Sequence, residues 1–283
     1  MIWQTSRRKL SLDCPLVMAI LNVTPDSFSD GGEFVTLKSA LKQAEKFISE
    51  GADIIDIGGE STRPNSERVS TDDEINRVVP VIEAITTRFD IPISIDTTKS
   101  TVAEASINAG AEIINDISGL RFDERIAEVA AKHHTGLILM HSRGTFETMH
   151  RQEPVEDILH EVAAVFRSSI EKAKITGVDP ANIALDIGIG FSKTFEQNLE
   201  LLAKLDKLVS EFSQFPILAG TSRKSFIGKI LGGVPADERL TGSLASVVIA
   251  IWNGAKIVRV HDVKETVETI KLITAVKSIR NES

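Results

Sequence analysis

Eight short β-branched apolar runs, each followed by a longer stretch of helical period, predict an α/β chain folded as a (β/α)8 TIM barrel. Two further observations support that class. The runs are apolar at nearly every position instead of alternating, as parallel strands covered on both faces require. Eight such units fill roughly 250 residues in a typical barrel, and the chain has 283. The structural rival is a doubly wound open sheet. No linker, low-complexity tract or run of one charge divides the chain, so one domain over residues 1–283 is expected. Residues 1–16 are expected to cover the closed bottom of the barrel.

The units follow in order. "PLVMAIL" leads into "LKSALKQAEKFISEG", where Leu37, Leu41, Ala44 and Ile48 keep the helical period and Gly51 ends it. "DIIDIGG" leads into "DDEINRVVPVIEAITTRF", "PISID" into "STVAEASINAG", and "EIINDISG" into "DERIAEVAAKHH". "GLILMH" leads into a helical stretch from about Pro154 to Thr176, and "NIALDIG" into "FEQNLELLAKLDKLVSEF". "FPILAG" leads into "ERLTGSLASVVIAIWNGA", and "KIVRVHD" into "VKETVETIKLITAVKSI". One connection stands apart. "NVTPDSFSDGG", Asn22 to Gly32, has no period and is crowded with turn-forming residues around a lone Phe28. Loops of that length are uncommon in compact domains unless they are functional or disordered.

Composition narrows the function. Hydrophobic residues make up 42% and charged residues 25%, which is globular. The single cysteine, Cys14, excludes an intrachain disulfide and fits a reducing, cytoplasmic setting. The basic "RRK" near the start is followed by a segment broken by Asp13 and Pro15, a poor signal-peptide core. The longest apolar run, Val247 to Trp252, is far too short to cross a membrane. A formal charge of −8 argues against a general nucleic-acid binder. Cations for an anionic ligand must therefore be gathered locally.

In barrels of this kind the site lies at the C-terminal ends of the strands. The first strand ends at Asn22, the second runs through Asp56 to "GGESTRP", and the others end in turn at Asp96, at Asn115 and Asp116, at His141, at Asp186, at "GTSRKSFIG", and at Arg259 and His261. One polar strand end is an ordinary loop start; eight converging on one mouth indicate a polar ligand site. Arg63, Arg259, Lys224 and His261 suit a phosphate or pyrophosphate. Asp96, Asn115 and Asp186 are too many acceptors for a phosphate pocket alone and suit a heterocycle rich in N–H donors. Lys224 in isolation reads as a surface lysine at a helix start, and the GxG of "DIGIGF" is too weak for a dinucleotide site. His133 and His134 read as helix-end residues, His150 and His160 as surface residues. Nothing has zinc-ligand spacing, so any metal would be a hard cation held loosely through Asn22 and phosphate oxygens.

"ILNVTPDSFSDGG", "DIGGESTRP", "SIDTTK", "IINDISG", "GTSRKSFIG", "ERLTGSLA" and "VRVHDVKET", in order from Val17 to about Thr266, together resemble the dihydropteroate synthase family. That resemblance implies an enzyme of folate synthesis. It would join p-aminobenzoate to 6-hydroxymethyl-7,8-dihydropterin diphosphate, using Mg2+, as a cytoplasmic homodimer with no membrane or nucleic-acid partner. Carried over, Asp96, Asn115, Asp186 and Lys224 would bind the pterin ring. Asn22, Thr62, Arg63, Arg259 and His261 would surround the pyrophosphate, with Asn22 reaching Mg2+. Phe28, Pro64, Phe191, Lys224 and Ser222 would frame p-aminobenzoate. The polar loop around Phe28 reads as a lid that closes this ring over the aryl group, or else Phe28 anchors the loop in the barrel rim. Departures from the family pattern fall at Ile187, Ser192, Phe146 and Val155, and the first two bear on the placement of Phe191. Two other readings remain: a non-catalytic pterin-binding homologue, and a methyltetrahydrofolate:corrinoid methyltransferase. The second has no use for the anion cluster or the "TPDSFSDGG" loop.

Overall fold

The computed structural model describes residues 1–24, 33–62 and 66–281. Among these, β1 (Ile2–Gln4) and β2 (Lys9–Ser11) form an antiparallel hairpin. Eight parallel strands then close a barrel: β3 (Leu16–Asn22), β4 (Ile54–Gly58), β5 (Ile93–Asp96), β6 (Ile113–Asp116), β7 (Gly136–Met140), β8 (Ile183–Asp186), β9 (Ile217–Ala219) and β10 (Ile257–Val260). β10 pairs back onto β3, with Ile257 opposite Leu16, so the barrel itself has no open edge. The helices are α1 (Glu33–Glu50), α2 (Thr71–Arg88), α3 (Ser100–Asn108), α4 (Arg125–His133), α5 (Ile158–Ile175), α6 (Phe195–Ala203), α7 (Leu205–Glu211), α8 (Ser225–Ile230), α9 (Leu240–Trp252) and α10 (Val263–Asn281).

The strands are apolar throughout because both of their faces are covered. Ile55 and Ile57 of β4 join Val78, Ile82 and Ile85 of α2 in the layer between sheet and helices. Ile54 points the other way, into the barrel, with Met18, Ile113, Ile138, Ala184, Leu218 and Ile257. Trp3 of the hairpin seals that inner layer from below and donates its indole N–H to Asn182 O at 2.8 Å. Truncating so large a buried ring should cost about 3–5 kcal/mol.

Two connections differ from the sequence reading. The helix expected from Pro154 starts at Ile158, because the Asp157 side chain accepts from His160 N and fixes the first turn there. The helix expected across "FEQNLELLAKLDKLVSEF" breaks at Lys204 into α6 and α7. At the break Asn253 Nδ2 donates to Leu202 O at 2.7 Å, satisfying a carbonyl at the end of α6.

Candidate active site

The inner face of the barrel changes character within one strand step. Ile54, Ile113, Ala184 and Ile257, on β4, β6, β8 and β10, belong to the apolar layer. Side chains two residues apart on a strand share a face. The next inward positions on those strands are therefore Asp56, Asn115, Asp186 and Arg259. Four side chains from alternate strands are the usual make-up of a barrel layer; here the uppermost layer is polar and forms the floor of the mouth.

Hydrogen bonds tie this layer together. Arg259 donates from Nε to Asp56 Oδ2 at 2.6 Å and from Nη2 to Asp96 Oδ2 at 2.7 Å. Asn115 Nδ2 donates to the same Asp56 oxygen at 3.1 Å, which leaves Asn115 Oδ1 and Asp56 Oδ1 buried without a partner. Asp186 Oδ1 accepts from Gly188 N at 2.8 Å. A floor with spare acceptors and bound carboxylates can receive several N–H donors from one planar ligand. Burial raises the Asp96 carboxyl to about 7 against the opposing pull of Arg259. Burial also raises Asp186, with the Gly188 N–H and Lys224 acting against it. Arg259 keeps its charge firmly: burial opposes it, but Asp56 and Asp96 outweigh that and raise its pKa.

Lys224 caps the start of α8 and hangs over the Phe191 ring, Nζ 4.2 Å from its centroid. Burial and then Arg259 lower its pKa to about 8. The adjacent Arg223 adopts φ 58° and forks onto Asp262, which fixes the loop between β9 and α8. Ser222 Oγ lies 3.1 Å from His261 Nδ1 just after β10. Burial, then Arg259 and Arg223, lower His261 to about 3, so the imidazole is neutral at pH 7. On the opposite side, Gly58 leaves room between Asn22 and Asp96: a Cβ there would lie 3.8 Å from Asn22 Oδ1 and 3.6 Å from Asp96 Cβ.

The structure thus brings Asn22, Asp96, Asn115, Asp186, Phe191, Ser222, Lys224, Arg259 and His261 to one mouth. Thr62 lies on its rim, where its carbonyl accepts from His150 Nε2 at 2.8 Å. Phe28, Arg63 and Pro64 lie outside the described residues. Two strand-end residues serve other ends. Asp116 turns away and caps Ser118 N and Leu120 N, and His141 is fully buried with Nδ1 2.8 Å from Lys193 Nζ. His150 departs from its sequence reading. It is half-buried, with its ring 5.4 Å from that of Phe191, and it bridges the β4–α2 and β8–α6 loops. The sequence reading gives Asp56 no ligand role, because its strand runs on to Gly58. The signal that finds it is the period-two match among "IID", "IIN", "ALD" and "IVR".

Residues 18–261 match the family described as "Pterin binding enzyme". The chain is 49% identical over 259 residues to dihydropteroate synthase from Synechocystis, covering 92% of this chain and 89% of that one. A dihydropteroate synthase from Clostridium difficile, solved in the presence of pteroic acid, superposes with a TM-score of 0.87 at 44% identity, covering 93% of this chain and 97% of the other. The Xanthomonas albilineans enzyme, solved with 4-aminobenzoic acid, gives a TM-score of 0.91 at 39% identity over 98% of both chains. The chain therefore belongs to the dihydropteroate synthase family of pterin-binding enzymes.

Proposed function

We propose that the protein transfers the dihydropterin-6-methyl group of 6-hydroxymethyl-7,8-dihydropterin diphosphate to the amine of p-aminobenzoate, giving 7,8-dihydropteroate and pyrophosphate. The observation that carries this reading is the polar layer Asp56–Asn115–Asp186–Arg259. Its unpartnered buried acceptors ask for a ligand edge of N–H groups, which a pterin has. On this reading Asp186 takes the 2-amino and N3 edge, Asn115 Oδ1 and Asp96 take further ring N–H groups, and Lys224 meets the ring's acceptor side. The relatives solved with pteroic acid and with 4-aminobenzoic acid support both halves of the site.

The chemistry follows from the reactants. The CH2–O bond breaks and its electron pair leaves with pyrophosphate; the electron-rich dihydropterin spreads the positive charge left behind. Asp96 and Asp186 favour that cation, and Arg259 meets the departing anion. The aryl amine is neutral at pH 7 and attacks with its own lone pair, then releases a proton to water. No strong base is required.

A hard cation fits the donors here. Among the described residues, the mouth's cations Arg259 and Lys224 already face Asp56, Asp96 and Asp186, so a diphosphate gains charge balance from a further cation. The described residues contain no cluster of three or more His, Cys, Asp or Glu side chains able to hold a metal. Asn22 Oδ1 supplies one neutral oxygen, which suits Mg2+ shared with phosphate oxygens and water. When bound, Mg2+ withdraws charge from the leaving group.

We also propose a homodimer. Ile249 and Trp252 of α9 and Leu272, Val276 and Ile279 of α10 are exposed apolar side chains on neighbouring helices, a face suited to a second copy. Sedimentation tests it: dimers are expected, and Leu272→Glu with Ile249→Glu should give monomers. The enzyme reading is tested by incubating the protein with both substrates and Mg2+. Dihydropteroate and pyrophosphate should form one to one; a folded protein that binds the pterin yet forms neither would be the non-catalytic homologue.

A further inference from the structure

The turn that follows β8 is built from unfavourable backbone. Gly188, Gly190 and Ser192 sit at φ 63°, 84° and 55°, the left-handed region, and Ser192 does so with a Cβ. Gly188 also passes so close to the end of β7 that a Cβ would lie 2.0 Å from His141 O. Such a turn persists only if its surroundings over-determine it. Three side chains do so. Asn198 Oδ1 accepts from Gly190 N at 2.7 Å, and Ser192 Oγ accepts from Arg143 N at 2.9 Å. The third is Lys193, whose Nζ lies 2.7 Å from Gly188 O, 2.9 Å from Phe191 O and 2.8 Å from His141 Nδ1.

Lysine normally carries its amine to water; this one turns inward and grips both ends of a four-residue turn. We propose that Lys193 is a positioning residue for the aryl-amine half of the site, tying the 188–191 turn to the end of β7 and thereby fixing the Phe191 ring beneath Lys224. The grip does not depend on the charge state. Gly188 O and Phe191 O can only accept, and even a neutral amine has two N–H bonds, one for each. The Phe191 ring packs with Met140, Phe146 and Met149, and it also meets Lys224 Nζ, 4.2 Å from the ring centroid, and the His150 ring, at 5.4 Å. The pterin half is less exposed to the loss of Lys193. Asp186 Oδ1 is held by Gly188 N, a link across two residues that a looser turn can keep.

This inference rests on the synthase reading above. The experiment compares Lys193→Met, Lys193→Gln, Phe191→Leu and the double variant Lys193→Met with Phe191→Leu in steady-state turnover, with pterin diphosphate affinity measured by calorimetry. Losing the grip removes the hydrogen bonds to Gly188 O and Phe191 O together, so Lys193→Met should raise the KM for p-aminobenzoate about tenfold or more. Its pterin diphosphate affinity should stay within about threefold, because Asp186 keeps its partner. Lys193→Gln, which retains a donor, should move in the same direction by less. If Lys193 acts through Phe191, the double variant should be no worse than Phe191→Leu alone. An unchanged KM, equal losses for both substrates, or additive effects in the double variant overturns the proposal. So does failure of both single Lys193 variants to fold, which would make Lys193 a requirement of the fold instead. Absence of turnover in the unaltered protein overturns the synthase reading and this inference together. Turnover without the split overturns the inference alone.

Discussion

Asp56→Asn removes one charge and almost no volume from the centre of the polar layer. Asp56 is 0% exposed, and its Oδ2 receives both Asn115 Nδ2 and Arg259 Nε, at 3.1 and 2.6 Å. Stranding a buried charge fully costs about 3–5 kcal/mol. Arg259 is not stranded, because Asp96 remains 2.7 Å from Nη2. A loss nearer 2 kcal/mol is therefore expected, which for a chain of this size is roughly 4–8 °C in Tm. The effect on the ligand is separate. The carboxylate can only accept, so it holds the Asn115 amide with Nδ2 turned to it and leaves Oδ1 for another donor; an amide at position 56 leaves that orientation open. One well-placed acceptor for a charged or polarised ring N–H is worth about 1.5–3 kcal/mol, roughly a tenfold to hundredfold weaker Kd. Scanning calorimetry and titration with 6-hydroxymethylpterin diphosphate measure the two effects. A lower Tm with unchanged affinity would refute the orienting role.

Asp186→Asn should weaken the pterin diphosphate by about 1.5–3 kcal/mol, since one charge-assisted bond to the ring's donor edge is lost; unchanged affinity in a folded variant would remove Asp186 from the site. Arg259→Ala should lower turnover and pyrophosphate affinity more than affinity for a pterin without the diphosphate, and equal losses would place the work of Arg259 on the ring. The pH profile of kcat/KM for the pterin diphosphate should be bell-shaped, rising as Asp96 ionises near 7 and falling as Lys224 deprotonates near 8. Asp96→Asn should flatten the acid limb, and an unaltered limb would assign it elsewhere. Stability shows the opposite sign. The Asp96 pKa is higher in the folded protein than its ordinary 3.8, so its stabilising contribution is complete below 3.8 and lost as pH rises through about 7. Denaturant titrations of Asp96→Asn should lack that decline.

The barrel was legible because its strands carry their own signal. A parallel strand covered on both faces is an unbroken apolar run, and in "PISID" or "NIALDIG" the polar residue that ends the run is also one that the structure places at the barrel mouth. That rule reaches Asp96 and Asp186, but it has no way to rank Asp56, which precedes Ile57 and Gly58 within its strand. Only the inward period of two, compared across four strands, reveals it. The rule also overreaches: Asp116 follows Asn115 and so must face outward, where it caps a turn. His150 and Lys193 were illegible for another reason. Each lies in an irregular connection, and their partners, Thr62 at a separation of 88 residues and His141 at 52, meet them only once the barrel has closed. Helix ends were approximate because side-chain caps from elsewhere, Asn253 on α6 for example, decide where a helical pattern stops.

The claim at the centre of this account is that the polar layer is the floor of the pterin site. A crystal structure of the protein with 6-hydroxymethylpterin diphosphate tests it most directly. The ring should lie on Asp186 and the unpartnered Oδ1 of Asn115, within hydrogen-bond distance of both, with Asp56 still holding Asn115 and Arg259, and with the diphosphate beyond Arg259 towards Ser222 and His261. A ring bound elsewhere in the mouth, with Asn115 Oδ1 still unpartnered beneath it, would contradict the claim.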